Sequence, residues 1–342
     1  MRGKGINYDT GAYPAGHPTR ERFDAATVGE EMRVIAADLH CTAVRITGGD
    51  PGRLDVAARA AAAAGLAVWY APFPCELGTD AMLALFADCA RRAESLRRQG
   101  NEVVLVLGGE LSIMASGFLP GDDLHARLAS LTSPGGRSPA LLAAVPPALN
   151  GFLATALDRV RPLFGGPVTY ASLPYERVDW TPFDYVAADA YRAAHNAATF
   201  AAEIRALHRY GKPVAVTEFG CATFRGAADL GARGWLIVDR SFTPPRLSGE
   251  YVRDEPEQAR YLREVLAVFD AEGVDTAFWF TFAGYAFEHR PGPHADLDLA
   301  SYGVVRIGPD GRRRPKAAFH ALADAYRDRA VDHRPAPERP SR

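Results

Sequence analysis

The feature that most limits what this chain can fold into is a regular alternation. Eight short apolar runs are separated by stretches of helical periodicity, with no linker-like break between them. The runs are Gly5–Tyr8, Thr42–Thr47, Leu66–Ala71, Val103–Leu107, Val168–Ser172, Tyr185–Ala190, the run from Val214 that ends at Glu218, and Thr276–Phe282. The intervening helical patterns include Phe23–Leu39, with Met32, Ile35, Ala36 and Leu39 on one face, and Pro256–Ala271, where Pro256 sits in the first turn. Alternating strand–helix units predict a parallel sheet, and eight of them predict a closed (β/α)8 TIM barrel. We expect a single domain over residues 1–326 and a disordered tail over 327–342, which is rich in Arg, Pro and Asp and has no apolar period. Loops before strands are short. Those after strands four, seven and eight are long, covering Ser112–Val145, Cys221–Arg253 and Ala283–Pro315. The elaborated rim is therefore the one at the C-terminal strand ends, where such barrels carry their sites.

Two strands deliver a carboxylate to that rim. Lys212–Phe219 reads K-P-V-A-V-T-E-F, opened by Gly211 and Pro213 and closed by Gly220, with Glu218 at the strand end. Glu102–Glu110 reads E-V-V-L-V-L-G-G-E and ends in Glu110. A buried charge is costly without a partner, so one such acid could be a structural ion pair or a solvated loop residue. Two of them on matched strands point to paired carboxylates across one barrel mouth.

Bulk properties exclude some functions. With 39 basic and 41 acidic residues the net charge is −2, so no global field favours nucleic acid or an anionic membrane. Cys41, Cys75, Cys89 and Cys221 are scattered, with no C-x-x-C or Cys/His cluster, so neither a metal site nor a disulfide framework is expected. No cofactor motif is present. The start, M-R-G-K-G-I-N-Y-D, has no apolar core of a signal peptide, and no run reaches 18 uninterrupted apolar residues; the expectation is a cytoplasmic protein without membrane contact. Nothing sets the oligomeric state.

The rim motifs resemble those of the large clan of retaining glycoside hydrolases built on (β/α)8 barrels. In that clan the acid/base Glu ends strand four and the nucleophile Glu ends strand seven. L-V-L-G-G-E-L and V-A-V-T-E-F-G match those patterns, so the resemblance implies Glu110 as acid/base and Glu218 as nucleophile. It extends to F-D-Y-V-A-A-D-A-Y, where an aromatic at the Tyr191 position often sits near the nucleophile. It extends also to F-W-F-T-F, where Trp279 would floor a sugar subsite, and to D-L-A-S-Y-G-V-V leading into R-P-K-A-A-F-H-A-L. The β-mannanase-like members come nearest. Most of the clan has Asn immediately before the acid/base Glu, where its amide contacts the sugar 2-hydroxyl; this chain has Gly109.

The chemistry of glycosidic cleavage asks for the same residues. One carboxyl must be kept protonated to donate to the leaving oxygen, while a second, ionised, faces the oxocarbenium-like carbon. Sugars stack on aromatic faces, and Trp69, Tyr70, Tyr191, Trp279 and Tyr285 fall at or just beyond strand ends, each of them open between barrel packing and a sugar platform. Arg45 points inward if Thr47 does, and either pairs with Glu218 to favour its charged form or forms a structural ion pair. Asn7 and Asp9 are open between sugar hydroxyls and a turn, and Asp189 ends strand six, placed to orient a partner. His195 belongs to a helix start, and His289 and His294 to a solvent-exposed loop. The expected partner is an oligosaccharide or glycoside. Two other classes fit the composition: a catalytically silent carbohydrate-binding barrel and an interaction scaffold. A metal-dependent barrel would show H-x-H on strand one, and G-I-N-Y has no His.

Overall fold

The computed structural model describes residues 1–132 and 139–328. The tail expected over 327–342 lies outside the described residues from position 329 onward; residues 327 and 328 end the last helix.

Eight parallel strands form the centre: Gly3–Asp9, Ala43–Gly48, Ala67–Pro72, Val103–Gly109, Val168–Ala171, Val186–Asp189, Val214–Phe219 and Thr276–Trp279. Numbered one to eight, they pair in the order 5-4-3-2-1-8-7-6. The two ends of that order meet at a parallel bridge between Ser172 and Ala188. There Asp189 N donates to Ser172 O at 3.0 Å and Ser172 N to Ala187 O at 3.2 Å, so the sheet is a nearly closed TIM barrel.

Local signals explain the helices. Asp24, Asp50 and Asp254 each accept a backbone N–H of the first helical turn, capping Ala25–Arg33, Pro51–Ala63 and Glu255–Ala271. Thr79–Arg98, Pro139–Val160, Phe200–Leu207 and Ala317–Asp328 complete the outer layer. Pro139–Val160 carries Pro146 and Pro147 within it. It is, among the described residues, the helix long and apolar enough to cross a membrane; in this fold Leu149, Phe152, Leu153, Ala156 and Val160 are buried along one face. Between strands five and six there is no long helix, only the turn Pro174–Glu176.

Strand alternation sorts side chains between the barrel interior and the helix layer. Trp69 packs edge-on against Phe278, ring centroids 4.9 Å apart, and lies 5.1 Å from Tyr185, so these rings fill the interior. Their chain neighbours consequently face outward. Tyr70 is fully buried, with its hydroxyl on Pro51 O at 3.4 Å. Trp279 is likewise fully buried between Phe219 (5.3 Å) and Tyr261 of the Glu255–Ala271 helix (6.5 Å), its Nε1 donating to Tyr302 O at 3.1 Å. Neither reaches the rim, which corrects the expectation of a sugar platform at Tyr70 and Trp279. Trp279→Ala is expected to behave as a core truncation, lowering unfolding free energy by about 3–5 kcal/mol in denaturant titration. Ligand affinity measured on the folded fraction should not change.

The described residues of the long loops are folded. In the first, Arg127 is fully buried, ion-paired with Glu76, and donates from Nε to Ile113 O at 2.6 Å; Ile113, Leu119, Leu124 and Val145 form a small second apolar cluster there. The second loop contains Gly231–Ile237, a 3-10 segment, and a two-stranded ribbon pairing Val238–Asp239 with Arg246–Leu247. In the third, His289 is half-buried, with Nδ1 2.9 Å from Asp296 Oδ1, and Asp296 also accepts from Arg253 at 2.8 Å. His289 is thus part of an ion cluster, unlike the free loop position expected; His294 is exposed.

Candidate functional site

A cleft of about 1530 Å³ opens at the C-terminal strand ends, and Glu110, Asp189, Tyr191, Glu218, Phe280 and Tyr302 are among its walls. A volume above the ~300–1,000 Å³ of drug-sized pockets leaves room for an extended ligand.

Glu218 is held from both sides. Arg45 Nη1 donates to its Oε1 at 2.7 Å, and the Tyr191 hydroxyl donates to its Oε2 at 2.9 Å. Both oxygens act as acceptors, the arrangement of a carboxylate. Arg45 is fully buried, and the same Nη1 also donates to Asn7 Oδ1 at 3.0 Å. Asn7 in turn gives its amide to Thr217 O at 2.9 Å. Asn7 is 1% exposed, so it lies beneath the cleft and positions Arg45, which corrects the expected contact with a sugar hydroxyl. Asp9 lines the cleft while its Oδ1 closes a turn onto Gly11 N at 2.8 Å.

Glu110 stands in the opposite environment. Strand four ends through Gly108 at φ +80, and Glu110 itself adopts φ 50, ψ 36. A left-handed non-glycine residue costs about 1–3 kcal/mol and persists where the surroundings enforce it. The enforcement is visible: Glu110 N donates to Ala171 O at 2.9 Å, and the next amide, Leu111 N, donates to Tyr170 Oη at 2.8 Å. Burial pushes the Glu110 carboxyl well above the ordinary carboxylate range, the negative charges of Asp189, Glu218 and Glu176 add to the rise, and Arg45 opposes it.

Asp189 is 4% exposed, and neither carboxyl oxygen has a hydrogen-bond partner among the described residues. Burial raises its pKa well above the ordinary range, Glu218 reinforces the rise, and Arg45 opposes it. Three acids thus converge beside one guanidinium, and the two that do not pair with it are the two driven toward their neutral forms.

Gly109 makes this packing possible. A Cβ at that position would stand 2.9 Å from Arg45 Nη2 and 3.2 Å from Ala171 Cβ. A side chain at this position would therefore meet the Arg45 guanidinium. Arg45 cannot yield easily, because it is buried and ion-paired. Gly109→Ala is expected to lose about 1–3 kcal/mol of stability in chemical denaturation, through overpacking.

Several functional side chains escaped the sequence reading. Glu176, fully buried, accepts from Ser112 Oγ (2.7 Å), Ser112 N (3.1 Å), Leu173 N (2.8 Å) and Tyr170 (3.0 Å), and so fastens the turn that follows Glu110. Tyr302 meets Tyr191 and Phe280 edge-on at 6.2 and 5.8 Å. Phe280 lines the cleft one residue after Trp279, at a position the strand alternation does point inward. Tyr285 lines the cleft, with its hydroxyl tied to Glu31 at 3.0 Å and its ring under Arg20 at 3.7 Å. His195 lies in the turn before Phe200–Leu207, on the cleft rim. Among the described residues no group of three or more His, Cys, Asp or Glu side chains is arranged to hold a metal ion.

No family model matches the chain, and no curated protein does. Solved structures match in fold. A Parabacteroides merdae beta-glucuronidase with glycerol in its active site superposes with a TM-score of 0.55 at 12% identity, over 94% of this chain and 36% of its own. Saccharomyces cerevisiae Gas2p in complex with laminaripentaose gives 0.50 at 16% identity, over 96% of this chain and 65% of its own. A Gas2 complex with a compound numbered 7 gives 0.55 at 14% identity over the same shares. This chain therefore spans about a third to just under two-thirds of the length of these matches. At such identities the likeness establishes the barrel fold.

Proposed function

We propose that the chain is a retaining glycoside hydrolase in which Glu218 is the nucleophile and Glu110 the acid/base. The observation that carries this reading is the contrast between two carboxyls on one cleft. Glu218 receives an arginine and a tyrosine, whereas Glu110, half-buried on the cleft wall, has the acids Asp189, Glu218 and Glu176 as its neighbours. In the first step Glu110 gives its proton to the glycosidic oxygen as the carbon–oxygen bond breaks, and a Glu218 oxygen bonds the anomeric carbon. In the second, Glu110 takes a proton from water, whose oxygen displaces Glu218 and restores both carboxyls. Arg45 and Tyr191 hold Glu218 in line and stabilise the carboxylate as it departs. Asp189 contributes a third carboxyl at the floor, and Asn7 sets Arg45 from below. The carbohydrate-bound fold neighbours support a saccharide ligand.

A panel of aryl β-glycosides, laminarin and mannan tests the reading, and mannan addresses the β-mannanase-like version of it. Turnover by the wild type that Glu218→Gln abolishes is the expected result. Glycan binding without turnover of any member would instead make the chain a catalytically silent carbohydrate-binding barrel.

A further inference from the structure

The floor of the cleft is acidic, but one wall is not. Arg240 is half-buried and lines the cleft, and no acid pairs with it among the described residues. Its one close ring neighbour is Phe287, with the guanidinium 5.9 Å from the ring centroid. Burial depresses its pKa from the ordinary arginine value, and no neighbouring acid restores it. Elsewhere among the described residues, the fully buried guanidiniums are answered by carboxylates, Arg20 by Glu31, Arg45 by Glu218 and Arg127 by Glu76, and half-buried Arg53 is answered by backbone carbonyls. A partly desolvated cation left without an anion is unfavourable, and a cation–π contact at that distance compensates only weakly.

Arg233, exposed and also without an acidic partner among the described residues, lines the same cleft. The segment bearing Arg233 is fixed to the catalytic wall. The Tyr302 hydroxyl donates to Gly231 O at 2.5 Å and accepts from Gly234 N at 2.8 Å, and Tyr302 packs edge-on against Tyr191, which binds Glu218. Arg240 follows three residues after the end of that segment; Phe287 lies beside it, and Trp235 is another wall of the same cleft.

We propose that Arg240, assisted by Arg233, forms an anion subsite on this wall that takes a sugar bearing a carboxylate or sulfate group. Resting on the glycosidase reading, it narrows the substrate class from saccharides in general to acidic ones. The guanidinium fork binds either oxyanion through paired N–H donors, and the aromatic surface carries the sugar ring.

The test is calorimetric titration of the full chain at low salt with matched pairs of oligosaccharides. One set is uronate oligosaccharides and their carboxyl-reduced counterparts; the other is sulfated oligosaccharides and their desulfated counterparts. At least one acidic member should bind about tenfold or more tightly than its neutral counterpart, a margin that shrinks as salt rises. Which set shows it identifies the oxyanion. Arg240→Gln should remove the preference and leave neutral binding within about twofold, Arg240→Lys should keep part of it, and Arg233→Gln should weaken it less. Equal affinity within every pair, no binding of any acidic member, or a preference untouched by Arg240→Gln would each overturn the subsite. Charge-selective binding without turnover would uphold the subsite while refuting the hydrolase. Turnover of neutral glycosides without charge selectivity would do the reverse.

Discussion

Glu218→Gln is expected to lower kcat by about 10⁴-fold or more on every substrate, because in the proposed mechanism Glu218 is the group that forms the glycosyl ester. The loss should not depend on leaving group, since nucleophilic attack is needed however readily the aglycone departs. Glutamine keeps an acceptor for Arg45 Nη1 but removes the counter-charge of a fully buried guanidinium. Leaving one partner of such a pair alone costs about 3–5 kcal/mol, so the variant should also unfold at lower denaturant. Circular dichroism of the folded variant separates the two effects: a native spectrum with no turnover is the expected combination.

Glu110→Ala is expected to act selectively. Substrates with poor leaving groups should slow by about 10²–10⁴-fold, while aryl glycosides with acidic phenols should retain a fast first step. Azide should then speed the second step by attacking the glycosyl-enzyme directly. The pH dependence follows from the direction in which burial and the neighbouring acids move this group. Protonated Glu110 is the active form in the first step, and its raised pKa keeps it protonated to higher pH than an ordinary carboxyl. Activity should therefore fall as pH rises through that raised value. The alkaline limb of kcat/KM should vanish in Glu110→Gln for activated substrates. If azide rescues nothing and the limb persists, Glu110 is not the acid.

Much of this site could be read from the residues because strands announce themselves by apolar runs punctuated by Gly and Pro. Each run expected to be a strand corresponds to one in the barrel, and the positions of Glu110 and Glu218 follow from where those runs stop. The Arg45–Glu218 pair was legible for a similar reason: a residue two before Thr47 shares its face, and the guanidinium is long enough to cross the mouth. The same alternation, applied to Trp69–Tyr70 and Phe278–Trp279, assigns the second residue of each pair to the helix layer, with Phe280 as the next inward position. Rim location and strand direction disagree there, and the aromatic that lines the cleft is one residue beyond Trp279. Asn7 could not be placed by pattern alone. An inward polar residue at a strand end looks the same whether it meets solvent or the underside of Arg45, and only the three-dimensional neighbour decides. Glu176 was hidden because its partner Ser112 is 64 residues away in a loop without periodicity. That Arg240 meets no acid among the described residues was equally invisible, since a lone arginine in a loop carries no sign of whether an acid will meet it.

Covalent trapping tests the assignment of the two carboxyls most directly. Full-length protein would be incubated with a panel of 2-deoxy-2-fluoroglycosyl fluorides and digested, and the labelled peptide located by mass spectrometry. A retaining pair with carboxyls about 5–5.5 Å apart should accumulate one glycosyl adduct per chain, on Glu218, and Glu218→Gln should give none. Turnover of an aryl glycoside with inversion at the anomeric carbon, or an adduct on any residue other than Glu218, would contradict the proposed mechanism.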